Sequence, residues 1–345
     1  MNFRKIYACA AAALAGLAFA ACTDKWEEEQ YYQYVSFKAP ESSSATVTRI
    51  RVKYKDGPVL YRLPLIVSGT MMNNRDLDVH VALDSDTLRD YNLTVFGEGR
   101  PDLWYRELDE SRYSFPAVTR IPKGECTALV DIQFDFRGVD FSENWMLPLV
   151  VADDPSYGYQ SHPKLGFNNA LLWLTPFNDY SGTYQTTALE VYADNSGQRI
   201  TVSTREARVV DENSVFFYAG CTDDGRPDRR DFKIKATFHP DESFVPAEGS
   251  NEVMRGTVTL EAMNPTNELG FTLNSSPTFV TTELMDTERP VLMRRTTTIQ
   301  NIDYTFYDAS ESTVPIFYQV KGTMSLQRNI NITIPDEEYA IEWDD

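Results

Sequence analysis

The sequence predicts an all-β protein of two domains, an N-terminal immunoglobulin-like β-sandwich followed by a C-terminal antiparallel calycin-like β-barrel. Aromatic residues make up 12% of the chain and Thr and Val are frequent, a composition that favours strands. Residues 129–136 and 231–239 alternate apolar and polar side chains, as a strand with one buried face must. A chain of 345 residues is also too long for one typical hydrophobic core and suits two.

The first element is a leader over residues 1–21. Arg4 and Lys5 precede a short apolar stretch that ends in small residues, which is typical of a secretory signal peptide and too short to span a bilayer comfortably. The sequence Phe19-Ala20-Ala21-Cys22 resembles the bacterial lipobox, whose cysteine is acylated and becomes the mature N-terminus. We therefore expect a lipid anchor, palmitate for example, on Cys22. The alternative is a soluble secreted protein with a chance cysteine near its cleavage site.

An acidic tether over residues 22–30 follows the leader. Asp24 and the run Glu27-Glu28-Glu29 resemble the export signal that places lipoproteins of the Bacteroidota on the outer face of the outer membrane. A solvated, disordered tether is the other interpretation, and the two are compatible. We expect a protein that is lipid-anchored in the outer membrane and faces the cell exterior, with its folded part beginning near Tyr31.

The N-terminal domain is predicted over residues 31–175. Its strand-like runs are separated by turn signals, and about seven strands in roughly 145 residues fit an immunoglobulin-like sandwich. A short helix is predicted at 87–91, and the sequence Thr-Pro-Phe-Asn-Asp at 175–179 indicates a linker. The runs are residues 34–37, 61–67, 77–83, 129–136, 145–151 and 170–174.

The C-terminal domain is predicted over residues 176–345. In residues 231–239, Phe232, Ile234, Ala236 and Phe238 share one face of a strand. Long hairpin-connected strands, about eight in number, favour an up-and-down barrel over a second sandwich. The other runs are residues 183–193, 205–210, 215–219, 256–262, 271–273, 302–307 and 316–326.

Charge and cysteine content exclude some functions. The formal charge is −19, and it becomes −21 when the leader is removed with Arg4 and Lys5, so nucleic acid would be repelled. Cys126 and Cys221, one in each domain, do not make a disulfide framework, and both are predicted to be buried as small apolar residues.

Several short motifs occur along the chain, namely the lipobox and residues 34–37, 61–65, 79–84, 113–116, 153–157, 176–184, 209–213 and 328–330. Together they resemble a two-domain surface lipoprotein family of gut-type Bacteroidota whose function is uncharacterised. The resemblance covers nearly the whole mature chain and implies carbohydrate handling in a glycan-utilisation locus. The implied partners are a glycan, a TonB-dependent transporter of the starch-utilisation type and its lid lipoprotein. Similar N-terminal domains precede glycoside hydrolase modules, but no motif carries an assigned residue role.

Catalytic and metal-binding patterns are missing from the sequence. Hydrolysis of glycosides needs two carboxyl groups roughly 5–10 Å apart, and no hydrolase motif places such a pair. Nucleophilic catalysis by Ser or Cys needs a nearby imidazole, but His80, His162 and His239 are each isolated, and none has metal-ligand spacing. The acidic loop 223–231 offers oxygens to calcium, but its three arginines favour a turn with internal ion pairs. We expect no enzyme activity and no cofactor.

Sugar binding is the remaining possibility, and it needs exposed aromatic side chains. A sugar packs its C–H face on an aromatic ring while polar groups bind its hydroxyls. The first candidate is Trp104 with Tyr105, on a loop with Gly and Pro, where Arg106 and Glu107 would serve the hydroxyls. The second candidate is the pair Tyr157 and Tyr159, which flank a glycine. Alternatively, these aromatics close the open end of the sandwich.

The sequence therefore leads to one hypothesis with two alternatives. The hypothesis is a non-catalytic surface lipoprotein that binds glycan for a polysaccharide or glycoprotein-glycan utilisation system. The alternatives are a structural or adhesive surface protein without a sugar site and, less favoured, a glycoside hydrolase.

Lipid attachment at Cys22 is directly testable. Mass spectrometry of the native protein should show an N-terminal acylated cysteine, and Cys22→Ala should move the protein from the membrane to the soluble fraction, because acyl chains supply the anchoring. An intact leader or an unacylated N-terminus would contradict this assignment.

Overall fold

The fold is nearly all-β, as predicted. The computed structural model describes residues 29–38, 47–164, 166–193, 197–264, 269–310 and 314–343. The leader and Cys22 lie outside these residues. Within them, no helix is both long and apolar enough to cross a membrane.

The N-terminal part is a β-sandwich of two sheets with a helix, α1 (Ser85–Phe96), beside it. The strands are β1 (Val35–Phe37), β2 (Val47–Ile50), β3 (Pro58–Val67), β4 (Leu77–Leu83), β5 (Arg106–Glu107), β6 (Tyr113–Ser114), β7 (Val118–Ile121), β8 (Thr127–Asp135), β9 (Trp145–Val151) and β10 (Asn169–Leu174). One sheet has the order β1-β3-β8-β6 and the other β2-β10-β9-β4-β7, with β5 also on β9. The pairings β2–β10 and β5–β9 are parallel.

Period-two alternation predicts these strands well. In β8, Val130, Ile132 and Phe134 are buried in the core between the sheets, while the residues between them face outward. The predicted runs 77–83 and 145–151 coincide with β4 and β9. The four-residue strands β2 and β7 were not predicted, because they are too short to show a period.

The helix is longer than the predicted 87–91. The Asp84 side chain accepts a hydrogen bond from the backbone N–H of Thr87, which fixes the first turn. At the other end Gly97, with φ of 68°, donates its backbone N–H to the carbonyl of Leu93. The sequence between these two caps is therefore helical for 12 residues.

The C-terminal part is a closed antiparallel barrel of eight strand positions, which confirms the predicted barrel. Its strands are β11 (Gly182–Gln185), β12 (Leu189–Ala193), β13 (Arg199–Ile200), β14 (Thr204–Asp211), β15 (Ser214–Tyr218), β16 (Lys233–Pro240), β17 (Glu252–Ala262), β18 (Thr272–Leu273), β19 (Thr278–Met285), β20 (Leu292–Asp308), β21 (Ile316–Asn331) and β22 (Ile341–Glu342). A short helix, α2 (Glu337–Ala340), precedes β22.

The long strand β21 closes the barrel. It pairs with β20 on one side and with both β11 and β12 on the other. These two short strands together occupy one of the eight strand positions of the barrel. The break between them lies at Gly322, where a Cβ would come within 2.0 Å of the Ala188 carbonyl oxygen. Large side chains such as Phe238, Phe279 and Tyr304 fill the interior.

Three features of the described structure, in both halves of the chain, differ from the sequence predictions or go beyond them. The predicted linker at 175–179 is held in place, since Phe177 exchanges backbone hydrogen bonds with Tyr54 and Val52 and is buried. Cys126 is half-buried and Cys221 is exposed, so the prediction that both are buried is wrong. Strand β19 was not predicted, because its sequence, Thr-Phe-Val-Thr-Thr-Glu-Leu-Met, does not alternate apolar and polar residues.

The acidic turn at 223–231 is a network of ion pairs, as the sequence favoured. The Arg226 guanidinium pairs with Asp228 and with Asp308, each at 2.6 Å. Among the residues that the structure describes, no cluster of His, Cys, Asp and Glu could hold a metal ion.

The ion pair between Arg226 and Asp308 makes stability depend on pH. The guanidinium holds the pKa of Asp308 at about 2, below the ordinary 3.8. Its contribution is therefore complete above pH 4 and is lost as the pH falls toward 2. Asp308→Asn should lower the free energy of unfolding by about 1–3 kcal/mol at pH 7 and flatten its fall between pH 4 and 2. Urea unfolding at pH 7, pH 4 and pH 2 measures both changes.

A matched control is Asp86→Asn, which removes an exposed partner of Arg89 and should change stability little. Equal pH profiles for Asp308→Asn and the unaltered chain would contradict the assignment.

Candidate functional site

The loop that carries the first sugar-binding candidate is built into the protein. The Trp104 indole N–H donates to the Gly97 carbonyl at 2.9 Å. Tyr105 packs edge-on against Trp173 with ring centroids 5.6 Å apart, and buried Asn92 holds its backbone from both sides with hydrogen bonds of 2.8 and 2.9 Å. Both rings therefore have internal partners.

The polar residues of this candidate, Arg106 and Glu107, also lie against other parts of the protein. Arg106 pairs with the carboxylate of Glu143, which is 7% exposed, and Arg230 of the barrel pairs with the same carboxylate. Glu107 is half-buried in β5 beside Met146. This arrangement corresponds to the alternative interpretation, in which the loop closes one end of the sandwich. Sugar binding by Trp104, Tyr105, Arg106 and Glu107 stays a prediction that this geometry does not favour.

The second candidate divides into a supporting tyrosine and a surface tyrosine. Tyr159 is 5% exposed, and its hydroxyl accepts from the His80 backbone N–H at 2.9 Å and donates to the Ala152 carbonyl at 2.8 Å. Burial raises the pKa of this hydroxyl. Tyr157 is half-buried and stacks on the His80 ring, with centroids 3.9 Å apart and planes 5° from parallel. Tyr159 thus supports the wall on which Tyr157 lies.

Tyr157 belongs to an open cleft of about 570 Å³, which we name the tyrosine cleft. Its exposed rings are Tyr31 and Tyr32, which are 68% and 79% accessible. The cleft is lined by Glu29, Tyr31, Tyr32, Gln33, Asn74, Arg75, Tyr157, Gly158, Tyr159 and Gln160. Aromatic rings and amide side chains therefore face one another there.

Glu29 fixes the N-terminal edge of the tyrosine cleft. Its carboxylate accepts backbone hydrogen bonds from Thr70 at 2.8 Å, Met71 at 2.9 Å and Tyr31 at 3.1 Å. These bonds, that from Thr70 foremost, hold the pKa of Glu29 at about 2. Gly69 leaves room for the carboxylate, because a Cβ there would lie 2.7 Å from it.

Two expectations from the sequence change here. The predicted tether of residues 22–30 is already docked on the sandwich at Glu29. Tyr31 was predicted only as the start of the fold, although the sequence Gln30-Tyr-Tyr-Gln-Tyr34 places two aromatic rings between amide side chains and a third directly after them. That composition is the signal by which the cleft could have been found.

Comparisons with known proteins cover both halves of the chain. The family model described as "Domain of unknown function (DUF4973)" matches residues 26–155, and a model described as a C-terminal domain matches residues 168–325. No curated protein matches the chain.

Three solved structures are similar over nearly the full length. A Bacteroides ovatus protein of unknown function is 42% identical, with 90% of this chain and 100% of the other covered and a TM-score of 0.79. A B. ovatus multidomain protein including DUF1735 is 40% identical, with 90% and 100% covered and a TM-score of 0.78. An auxiliary nutrient binding protein from B. thetaiotaomicron is 36% identical, with 87% and 96% covered and a TM-score of 0.76.

Proposed function

The chain belongs to the two-domain Bacteroides family whose N-terminal domain is DUF4973, and from this premise we propose that it is a non-catalytic, glycan-binding lipoprotein of the outer-membrane surface. The tyrosine cleft is the proposed binding site. The relative named as an auxiliary nutrient binding protein supports a binding role, since it is similar over 87% of this chain.

The single observation that carries the proposal is the pair of exposed rings beside amide groups. Tyr31 and Tyr32 present their rings to solvent, and Gln33 and Asn74 line the same cleft. Apolar C–H faces of a sugar pack on such rings, while amides can both donate to and accept from its hydroxyls. The cleft is open, which suits a polymer that enters and leaves along its length.

The position of Glu29 supports a role close to the membrane. Cys22 precedes Glu29 by seven residues, and an extended chain spans at most about 3.5 Å per residue, so a lipid on Cys22 would hold the cleft within about 25 Å of the bilayer. At that distance from the bilayer, a glycan bound in the cleft would be close to a TonB-dependent transporter of the starch-utilisation type and its lid lipoprotein. We propose these two proteins as partners.

Hydrolysis is the less favoured function for this cleft. A glycoside hydrolase needs a carboxylic acid that is still protonated near neutral pH to donate to the leaving group. Glu29 lines the cleft, but its pKa of about 2 keeps it ionised, and its oxygens already accept backbone hydrogen bonds. This carboxylate therefore suits a structural role.

An apolar surface favours the second candidate function, a structural or adhesive surface protein. Leu284, Met285, Val291 and Ile332 are each exposed near the turn that joins β19 and β20, where the Ile332 backbone N–H donates to the Val291 carbonyl. A partner protein would cover such side chains.

Replacement of the two exposed rings tests the proposal. The double variant Tyr31→Ala/Tyr32→Ala should weaken glycan retention at least about fivefold, because each stacked ring contributes about 0.5–1.5 kcal/mol. Affinity electrophoresis through starch, xyloglucan, arabinoxylan, pectin, yeast mannan and mucin glycans measures retention.

Two control variants, Tyr339→Ala and Trp104→Ala, should retain glycan as the unaltered chain does. Tyr339 is 75% exposed and lies on α2 of the barrel part, and Trp104 belongs to the internal loop. Loss of retention with Trp104→Ala alone would indicate that glycan binds at the loop of Trp104 and Tyr105 instead. Failure of the unaltered chain to bind any of the glycans would favour the structural role.

A further inference from the structure

A second surface with sugar-binding chemistry lies on the outside of the barrel. Strands β12, β21 and β20 are neighbours, and their inward residues Val191, Val320 and Tyr304 are buried in the barrel core. Because side chains alternate along a strand, the residues between them point outward. The cross-strand register therefore determines which outward side chains meet.

The register places aromatic rings beside polar groups. Tyr192 lies opposite Gln319, and Tyr307 lies opposite Phe317 with ring centroids 5.3 Å apart. Gln319 is in turn followed by Lys321, which lies between Glu190 and Asp303 of the two flanking strands. We name the surface of Tyr192, Tyr307, Phe317, Gln319 and Lys321 the barrel platform. A cleft of about 380 Å³ lies over most of it.

Hydrogen bonds and close packing hold the barrel platform in place. The Tyr192 hydroxyl donates to Glu190 at 2.8 Å, and the Gln319 amide donates to Asp303 at 3.3 Å. Gly270, with φ of 54°, packs against the Tyr307 ring so closely that a Cβ would lie 2.8 Å from it. Rings that are ordered before binding lose little entropy when a ligand arrives.

We infer that the barrel platform is a second glycan-binding site, which takes a neutral sugar chain. The Tyr192 and Tyr307 rings meet the C–H faces, and Gln319 and Lys321 bind hydroxyl groups. Arg199 pairs with Glu190 at 3.4 Å and Lys321 pairs with Asp303 at 3.6 Å, so these charges are balanced and favour a neutral sugar over an acidic one. This inference rests on the proposed function and extends it from one site to two.

The two proposed sites lie on different parts of the protein. Gln319 and Asn329 are ten residues apart on β21, about 33 Å at 3.3 Å per residue, and Asn329 lines the cleft that Arg49 of the sandwich also borders. The barrel platform therefore lies away from the sandwich, whereas the tyrosine cleft lies on it. Two linked contacts on one polymer raise its apparent affinity above that of either contact.

Counting bound oligosaccharides tests this inference. Linear hexasaccharides of glucose, xylose and mannose are titrated into the unaltered chain by isothermal titration calorimetry. We expect two hexasaccharides per chain for the sugar that binds, and one per chain for the variant Tyr192→Ala/Tyr307→Ala. Retention of the corresponding polysaccharide should weaken about tenfold in that variant, as expected for loss of two stacking rings.

The controls separate the two sites. Tyr339→Ala should still bind two hexasaccharides, and thermal unfolding of every variant shows whether it folds, with Tyr192→Ala alone as the milder substitution. One hexasaccharide per unaltered chain, or two in the platform variant, would overturn the second site and leave the tyrosine cleft standing. No binding at all by the unaltered chain would overturn both.

Discussion

The buried carboxylate of Glu143 is the constraint on which the arrangement of the two parts depends. A charge that is 7% exposed is costly unless it is paired, and Glu143 is paired with Arg106 of the sandwich and Arg230 of the barrel. Arg229, which is 3% exposed, adds a hydrogen bond of 2.9 Å to the Asp102 carbonyl. Loss of both arginines would leave the Glu143 carboxylate buried and unpaired, so the loop of Arg106 and the turn of Arg230 are held together by one shared charge.

Apolar packing continues this junction. Val209, Phe216 and Tyr218 of the barrel belong to the same hydrophobic cluster as the core of the sandwich. Strand β15 is buried along its whole length for this reason, with one face toward the barrel interior and the other toward the sandwich. The core of the sandwich therefore extends onto the outer face of the barrel, whose interior forms a second cluster.

The sequence predicts the fold better than the site, because the two depend on different ranges of contact. The alternation of apolar and polar residues in 129–136 and 231–239 is a local pattern, and these runs form β8 and β16. The roles of Trp104 and Arg106 depend on partners that no local pattern shows, such as Glu143, which is 37 residues from Arg106. Tyr157 and Tyr159 look alike in sequence, yet only the hydrogen bonds of Tyr159 show that it supports the cleft.

Hydrogen–deuterium exchange in the presence and absence of the retained glycan distinguishes the two candidate surfaces. We propose that the tyrosine cleft binds the ligand and that the loop of residues 100–107 only joins the sandwich to the barrel. Glycan should slow exchange at residues 31–33 and 157–160 and leave residues 100–107 unchanged. Protection confined to residues 100–107 would contradict it.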